Sequence, residues 1–145
     1  MYFALEGMAE LQKTLRTLPD ATAKRILGKT LQKAAIPVAQ RARALAPRRT
    51  GKLRLSVHIS KKLSKRQARM RRKHDPSDVE IFVGTGPLKY AHLVEYGTRK
   101  MSAKPFMRPA WDGEKMAAFD VIASELRLSI EKAVRRHAKK RAAGR

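Results

Sequence analysis

"LRLSVHIS" (residues 53–60) is where the chain changes its rhythm. Leu53, Leu55, Val57 and Ile59 alternate with Arg54, Ser56, His58 and Ser60. A period of two marks a strand with one face toward a core. "VEIFVG" (79–84) repeats the alternation through Val79, Ile81 and Val83, so the two segments are expected to pair as an antiparallel hairpin. Between them runs "KKLSKRQARMRRKHDPSD" (61–78), far longer than the roughly two to five residues of a compact hairpin loop. This connection is expected to be an extended arm, or to lack fixed structure in isolation. It carries Lys61, Lys62, Lys65, Arg66, Arg69, Arg71, Arg72 and Lys73.

On the N-terminal side, residues 2–5 (YFAL) read as a short strand. Met8, Leu11, Leu15 and Leu18 then recur at helical spacing. Pro19 and Asp20 punctuate the pattern, with Asp20 as the expected cap of a second helix over 21–45. The apolar face of that helix is Leu27, Leu31, Ala34 or Ala35, Val38, Ala42 and Leu45, and Pro37 is expected to kink or break it near Ile36. "APRRTGK" (46–52) ends it. On the C-terminal side, "RPAWDGEKMAAFDVIASELRLSIEKAVRRHAKK" (108–140) reads as one long helix. Pro109 lies in its first turn, and Trp111, Phe119, Ile122, Leu126, Ile130 and Val134 form the expected buried stripe. Its acids come early and its bases late, as the helix dipole favours.

The fold class is therefore α+β: two N-terminal helices, a small antiparallel sheet with a long basic hairpin arm, and a long C-terminal helix. One domain is expected over 1–138, with 61–78 as the arm and 139–145 as a basic tail. The chain has 145 residues and no cysteine, so disulfides and thiolate metal sites are excluded. No apolar run approaches the roughly 20 residues that span a bilayer, so no membrane role is expected. The N-terminus is not patterned as a signal peptide. Thirty-four Lys and Arg face twelve Asp and Glu, a net +22. Such a surface attracts polyanions, nucleic acid first. The arm has no aromatic residue for base stacking, so its contacts would be to phosphates and blind to sequence.

Chemistry is sparse. His58, His74, His92 and His137 have no metal-ligand spacing, no phosphate-cradling loop is present, and no cofactor is expected. The densest group of reactive types, His92, Tyr96 and Arg99, would suit a small basic ribonuclease. The plainer reading makes His92 a polar position on a short helix, and it is preferred. That group belongs to "YAHLVEYGTRKMSAKPFMRPAW" (90–111), the most irregular and aromatic stretch of the chain. Tyr90, Leu93 and Val94 share one side of a short helix that Gly97 would end. Glu95 is either solvated or a paired carboxylate that fixes the loop or bridges to a neighbouring subunit's arginine, with Arg99, Lys100 and Lys104 nearby in sequence. Pro105 and Pro109 stiffen the approach to the last helix, while Phe106, Met107 and Trp111 serve as core or as interface.

Three motifs stand in order: "ARALAPRRTGKLRLSV" (42–57), "VGTGPLKYAHLVEYGT" (83–98) and "KPFMRPAW" (104–111). Together they resemble the tail-component family of tailed phages, which includes tail-completion and head–tail connector proteins and lambda-like minor tail protein Z relatives. The resemblance implies a non-enzymatic virion protein forming a ring, of six copies, at the neck or top of the tail, assembled from the host cytoplasm. Its partners would be the tail terminator or tube and the connector. The motif and subunit-interface residues it implies are Thr50, Gly51, Leu53, Tyr90, Glu95, Tyr96, Gly97, Thr98, Pro105, Phe106, Pro109 and Trp111. The eight basic residues of the arm would meet DNA in the lumen or an acidic partner. The competing expectation is a stand-alone nucleic-acid-binding protein of ribosomal or nucleoid type.

Overall fold

Pro19 opens the first helix described. In a computed structural model of the chain, which describes residues 13, 16, 18–63, 65–70 and 79–143, α1 spans Asp20–Leu45. The Pro19 carbonyl accepts from the amides of Thr22 (2.8 Å) and Ala23 (3.0 Å). Asp20 is not the cap. It is the first helical residue and makes no side-chain capping bond, so its charge acts on the positive end of the helix dipole. The expected strand at 2–5 lies outside the described residues, as does most of the expected helix at 8–18. Leu18 is described and buried.

Pro37 does not break α1, which runs on to Leu45. Proline removes one amide donor, but Ala34, Val38, Ala39 and Ala42 bury on both sides of it, and packing outweighs the lost bond.

"LRLSVHIS" divides in two. Gly51, at φ +70°, turns the chain into a short helix, α2 (Lys52–Ser56), and only His58–Ser60 forms strand β1. Leu53 and Val57 are buried (4% and 0% exposed) while Leu55 is 87% exposed. The positions 53 and 57 are four apart, which puts them on one face in a strand and also in a helix. Leu55 separates the two readings, and it points to solvent. Ser56 Oγ donates to the Leu53 carbonyl (2.6 Å), a local bond that closes the turn.

β1 pairs antiparallel with β2 (Phe82–Gly84), with His58 opposite Gly84, Ile59 opposite Val83 and Ser60 opposite Phe82. The hairpin is thus as expected but shorter. Its connection is not wholly extended, for Lys65–Met70 form a short helix, α3. Two further helices follow, α4 (Ala91–Tyr96) and α5 (Met107–Ala143). α5 carries helical backbone into the segment read as a tail.

α1 and α5 run antiparallel. Ala42 and Ala46 cluster with Phe106 and Ala110, Ala34 and Val38 with Ala118, and Lys33 Nζ meets Glu125 Oε2 at 2.7 Å. Much of this seam is alanine, whose small side chain lets helices approach closely at little cost in side-chain entropy. Of the large residues expected inside, Val38, Leu126 and Ile130 are buried, whereas Leu45, Trp111 and Val134 are exposed. Arg43 closes one end of the seam, its Nε and Nη2 donating to the Val57 carbonyl (3.0 and 2.7 Å). Arg54 Nε returns a bond to the Arg43 carbonyl (2.8 Å).

A pair of substitutions separates the helical from the strand reading of residues 53–57. Leu55→Ser is expected to change unfolding free energy by less than about 0.5 kcal/mol, as an exposed change does. Val57→Ala should cost about 2 kcal/mol for two buried methyls and the space they leave. Urea unfolding measures both, and a larger loss at Leu55 would contradict the placement.

Candidate functional site

Gly97 stops α4 by taking φ +76°, and its amide donates to the Leu93 carbonyl (2.8 Å). A side chain there would be strained in the backbone and crowded as well: a Cβ would lie 2.8 Å from the Ala103 amide nitrogen and 2.9 Å from the Met101 carbonyl oxygen. The chain then reverses. Thr98 and Met101 exchange backbone bonds in both directions (2.8 and 3.2 Å), and the Lys104 amide donates to the Val94 carbonyl (2.8 Å). That return brings Phe106 under α4, where it is fully buried against alanines of α1, Leu53, Val57, Ala91 and Ala110. Burying a phenylalanine contributes about 1.5–3 kcal/mol. It is the largest fully buried side chain among the described residues.

The Glu95 carboxylate lies at the start of α5. It is only 5% exposed and accepts from the amides of Phe106 (2.7 Å), Met107 (3.0 Å) and Arg108 (3.1 Å). Arg108 Nε adds a fourth bond (3.2 Å), and Arg108 Nη2 reaches the Glu95 carbonyl (3.3 Å). The first amides of a helix have no intrahelical acceptor. In α5 every one is accounted for: Met107 and Arg108 use Glu95, Pro109 has no N–H, and the Ala110 amide bonds the Phe106 carbonyl (3.3 Å). The negative charge also faces the positive end of the 37-residue helix. Burial pushes the Glu95 carboxyl up, but the three amides and the Arg108 guanidinium outweigh it and hold the group below the ordinary glutamate range. Of the two sequence readings of Glu95, the paired one is right. Its partner is Arg108, not Arg99, Lys100 or Lys104. The guanidinium of Arg108 also lies 5.0 Å from the Tyr96 ring centre, within cation–π range.

The motif residues fall into three places. Glu95, Gly97, Phe106 and Pro109 build the joint just described, with Pro105 exposed beside it. Thr50, Leu53, Tyr90 and Thr98 line one open groove of about 680 Å³ with Leu93 and Met101, and cations Arg49, Lys52 and Lys104 share its lining. Gly51 lies between Thr50 and Lys52 of that lining as the left-handed turn into α2. Tyr96 (68% exposed) and Trp111 (57% exposed) lie on the surface, and Trp111 lines a second groove, of about 550 Å³, between α1, β2 and α5.

Lys61, Lys62, Lys65 and Arg69 are exposed on the arm and Arg66 lies within α3. Arg71, Arg72 and Lys73 are outside the described residues. His92, Tyr96 and Arg99, the ribonuclease trio, are exposed on α4 and in the turn after it. Sequence reasoning missed Arg108 and Arg43, because neither stands in a periodic relation to its partner. One signal was available: Glu95 is the single acid between Glu80 and Asp112.

Glu95→Ala is expected to lower unfolding free energy by about 3 kcal/mol or more, since three amides and a guanidinium lose their acceptor together. Glu95→Gln, which keeps one oxygen, should cost about 1–2 kcal/mol. Denaturant unfolding reads both, and a neutral Glu95→Ala would overturn the cap.

The pH dependence has a definite sign. The folded carboxyl titrates below its unfolded value of roughly 4.3, so its contribution is fully present above that range and is lost as pH falls through the folded value. The stability gap between wild type and Glu95→Gln should therefore shrink below pH 4, and a gap that widens on acidification would contradict it.

The sequence profile of one family, described as "Bacteriophage HK97-gp10, putative tail-component", matches residues 9–97, more than half of the 145-residue chain. No curated protein and no solved structure matches it. Helix α1, the Thr50-Gly51 turn, the hairpin and α4 all fall inside the matched segment, and the chain belongs to the HK97-gp10-like family of bacteriophage tail components.

Proposed function

We propose that this tail component is a structural virion protein, not an enzyme. Copies close into a ring, of six subunits, at the head–tail junction or top of the tail, as tail-completion and connector proteins do. The tail terminator or tube lies on one side and the connector on the other. The observation that carries the reading is the surface placed by the joint. A groove of about 680 Å³ joins residues of the first two motifs, Trp111 lines a second groove, and Tyr96 and Trp111 are both more than half exposed. Exposed aromatics beside apolar grooves mark sites of protein contact. Glu95 and Phe106 serve the interface indirectly, by fixing the surface that carries it.

Charge sets the second requirement. Six copies at +22 each would bring on the order of +130 into one ring, which only an anionic neighbour would tolerate at close range. The basic arm supplies that contact, to DNA in the lumen or to an acidic partner ring.

Tyr96→Ala with Trp111→Ala tests the interface while leaving Glu95 and the amides it caps in place, with only the Tyr96 contact to Arg108 lost from the joint. Each aromatic anchor contributes about 2 kcal/mol, or roughly thirtyfold in subunit affinity. The double variant should fold normally yet fail to join tails in complementation, and its ring should be lost on native mass measurement in moderate salt. Normal joining by this variant would defeat the proposal, as would a wild-type protein that stays monomeric with tails and binds RNA tightly.

A further inference from the structure

The arm is not the only concentration of positive charge. Between the first turns of α1 and the distal half of α5 lies an open cavity of about 460 Å³. Arg25 and Lys29 line it from α1, and Lys132 and Arg136 from α5. Each pair is four apart, so each shares a helix face. All four side chains are exposed. The rest of the lining is Thr22, Ile26, Ser129 and Ala133, with no carboxylate among the described residues. One step along the same seam Lys33 pairs with Glu125, and the neighbouring Glu131 is engaged by Arg127 (3.5 Å). Like charges four apart on a helix destabilise it, so this quartet is held at a cost that an anion would relieve.

From this cavity we infer a binding site for the phosphate backbone of duplex DNA, separate from the hairpin arm. The lining argues for phosphate over an acidic protein. It offers cations and two hydroxyl donors but only Ile26 and Ala133 as apolar surface, whereas protein interfaces need an apolar centre. Backbone phosphates need only charge and donors. Residues four apart on a helix stand about 6 Å apart, so the two cations of a pair can reach the same stretch of phosphate backbone. The quartet projects from two packed helices and is therefore positioned before DNA arrives. The inference does not depend on ring formation.

The test compares two variants of equal charge. One replaces Arg25, Lys29, Lys132 and Arg136 by glutamine. The other replaces Arg41, Lys89, Arg99 and Lys100, which are exposed and outside the cavity lining, by glutamine. Binding to a mixed-sequence 30-base-pair duplex is followed by fluorescence anisotropy across salt concentrations. The quartet variant should bind at least about tenfold more weakly at 0.15 M salt, with its log–log salt slope reduced by up to about 3.6, at roughly 0.9 for each of the four phosphate contacts. It should also melt higher than wild type at low salt, which shows that it folds. The scattered variant should lose much less. Equal losses would mean a diffuse field and would overturn the site. Equally quartet-dependent binding of polyglutamate would overturn the assignment to DNA.

Discussion

A buried carboxylate is costly unless its lone pairs are filled, and Glu95 has them filled by three consecutive amides and a guanidinium. The exchange is mutual. The amides belong to the open end of α5, which would otherwise bury donors without acceptors. Glu95 sits on α4, two residues before the glycine that ends it, so one side chain ties the short helix to the long one across the intervening loop. Phe106 is pinned between them by its own amide and by the core around its ring. Removing the carboxylate would release the loop, the plug and the start of α5 together.

Outside that joint the body is closed by the packing of α1 on α5. The α1–α5 seam is sealed chiefly by small residues, which leaves Tyr96, Trp111 and Leu55 outside. The charge is organised along the same helix pair, with Lys33 and Glu125 paired at mid-seam and, among the described residues, four cations and no carboxylate lining the cavity at the distal end.

The α+β class, the hairpin, the long closing helix and the role of Gly97 were legible because each rests on a local signal: a period, a turn residue, a proline in a first turn. The division of residues 53–60 was not, because Leu53 and Val57 satisfy both periods and only the exposure of Leu55 decides. The alanine core was read only in part: Ala34 and Ala42 were placed inside, but Ala39, Ala110 and Ala118 were not, because alanine is equally at home on a helix surface. Trp111 was placed in the buried stripe by its spacing, with an interface role left open, and it is 57% exposed. Pro37 was expected to kink or break α1, and the helix runs unbroken through it to Leu45. At the joint, the sequence marked Glu95 as an isolated acid and left its reading open. It could not name Arg108, thirteen residues away, because that partnership exists only after the loop has folded back.

The central claim is that the first amides of α5 are held by Glu95 in the folded protein. Native-state hydrogen exchange at Phe106, Met107 and Arg108 measures this directly. All three should exchange only on global unfolding, and in Glu95→Gln their protection should fall while that of Ala42, in the body of α1, changes only with overall stability. Exchange of the three wild-type amides at the rate of exposed loop positions such as Lys100 would contradict the cap, and with it the account of how the surface is positioned.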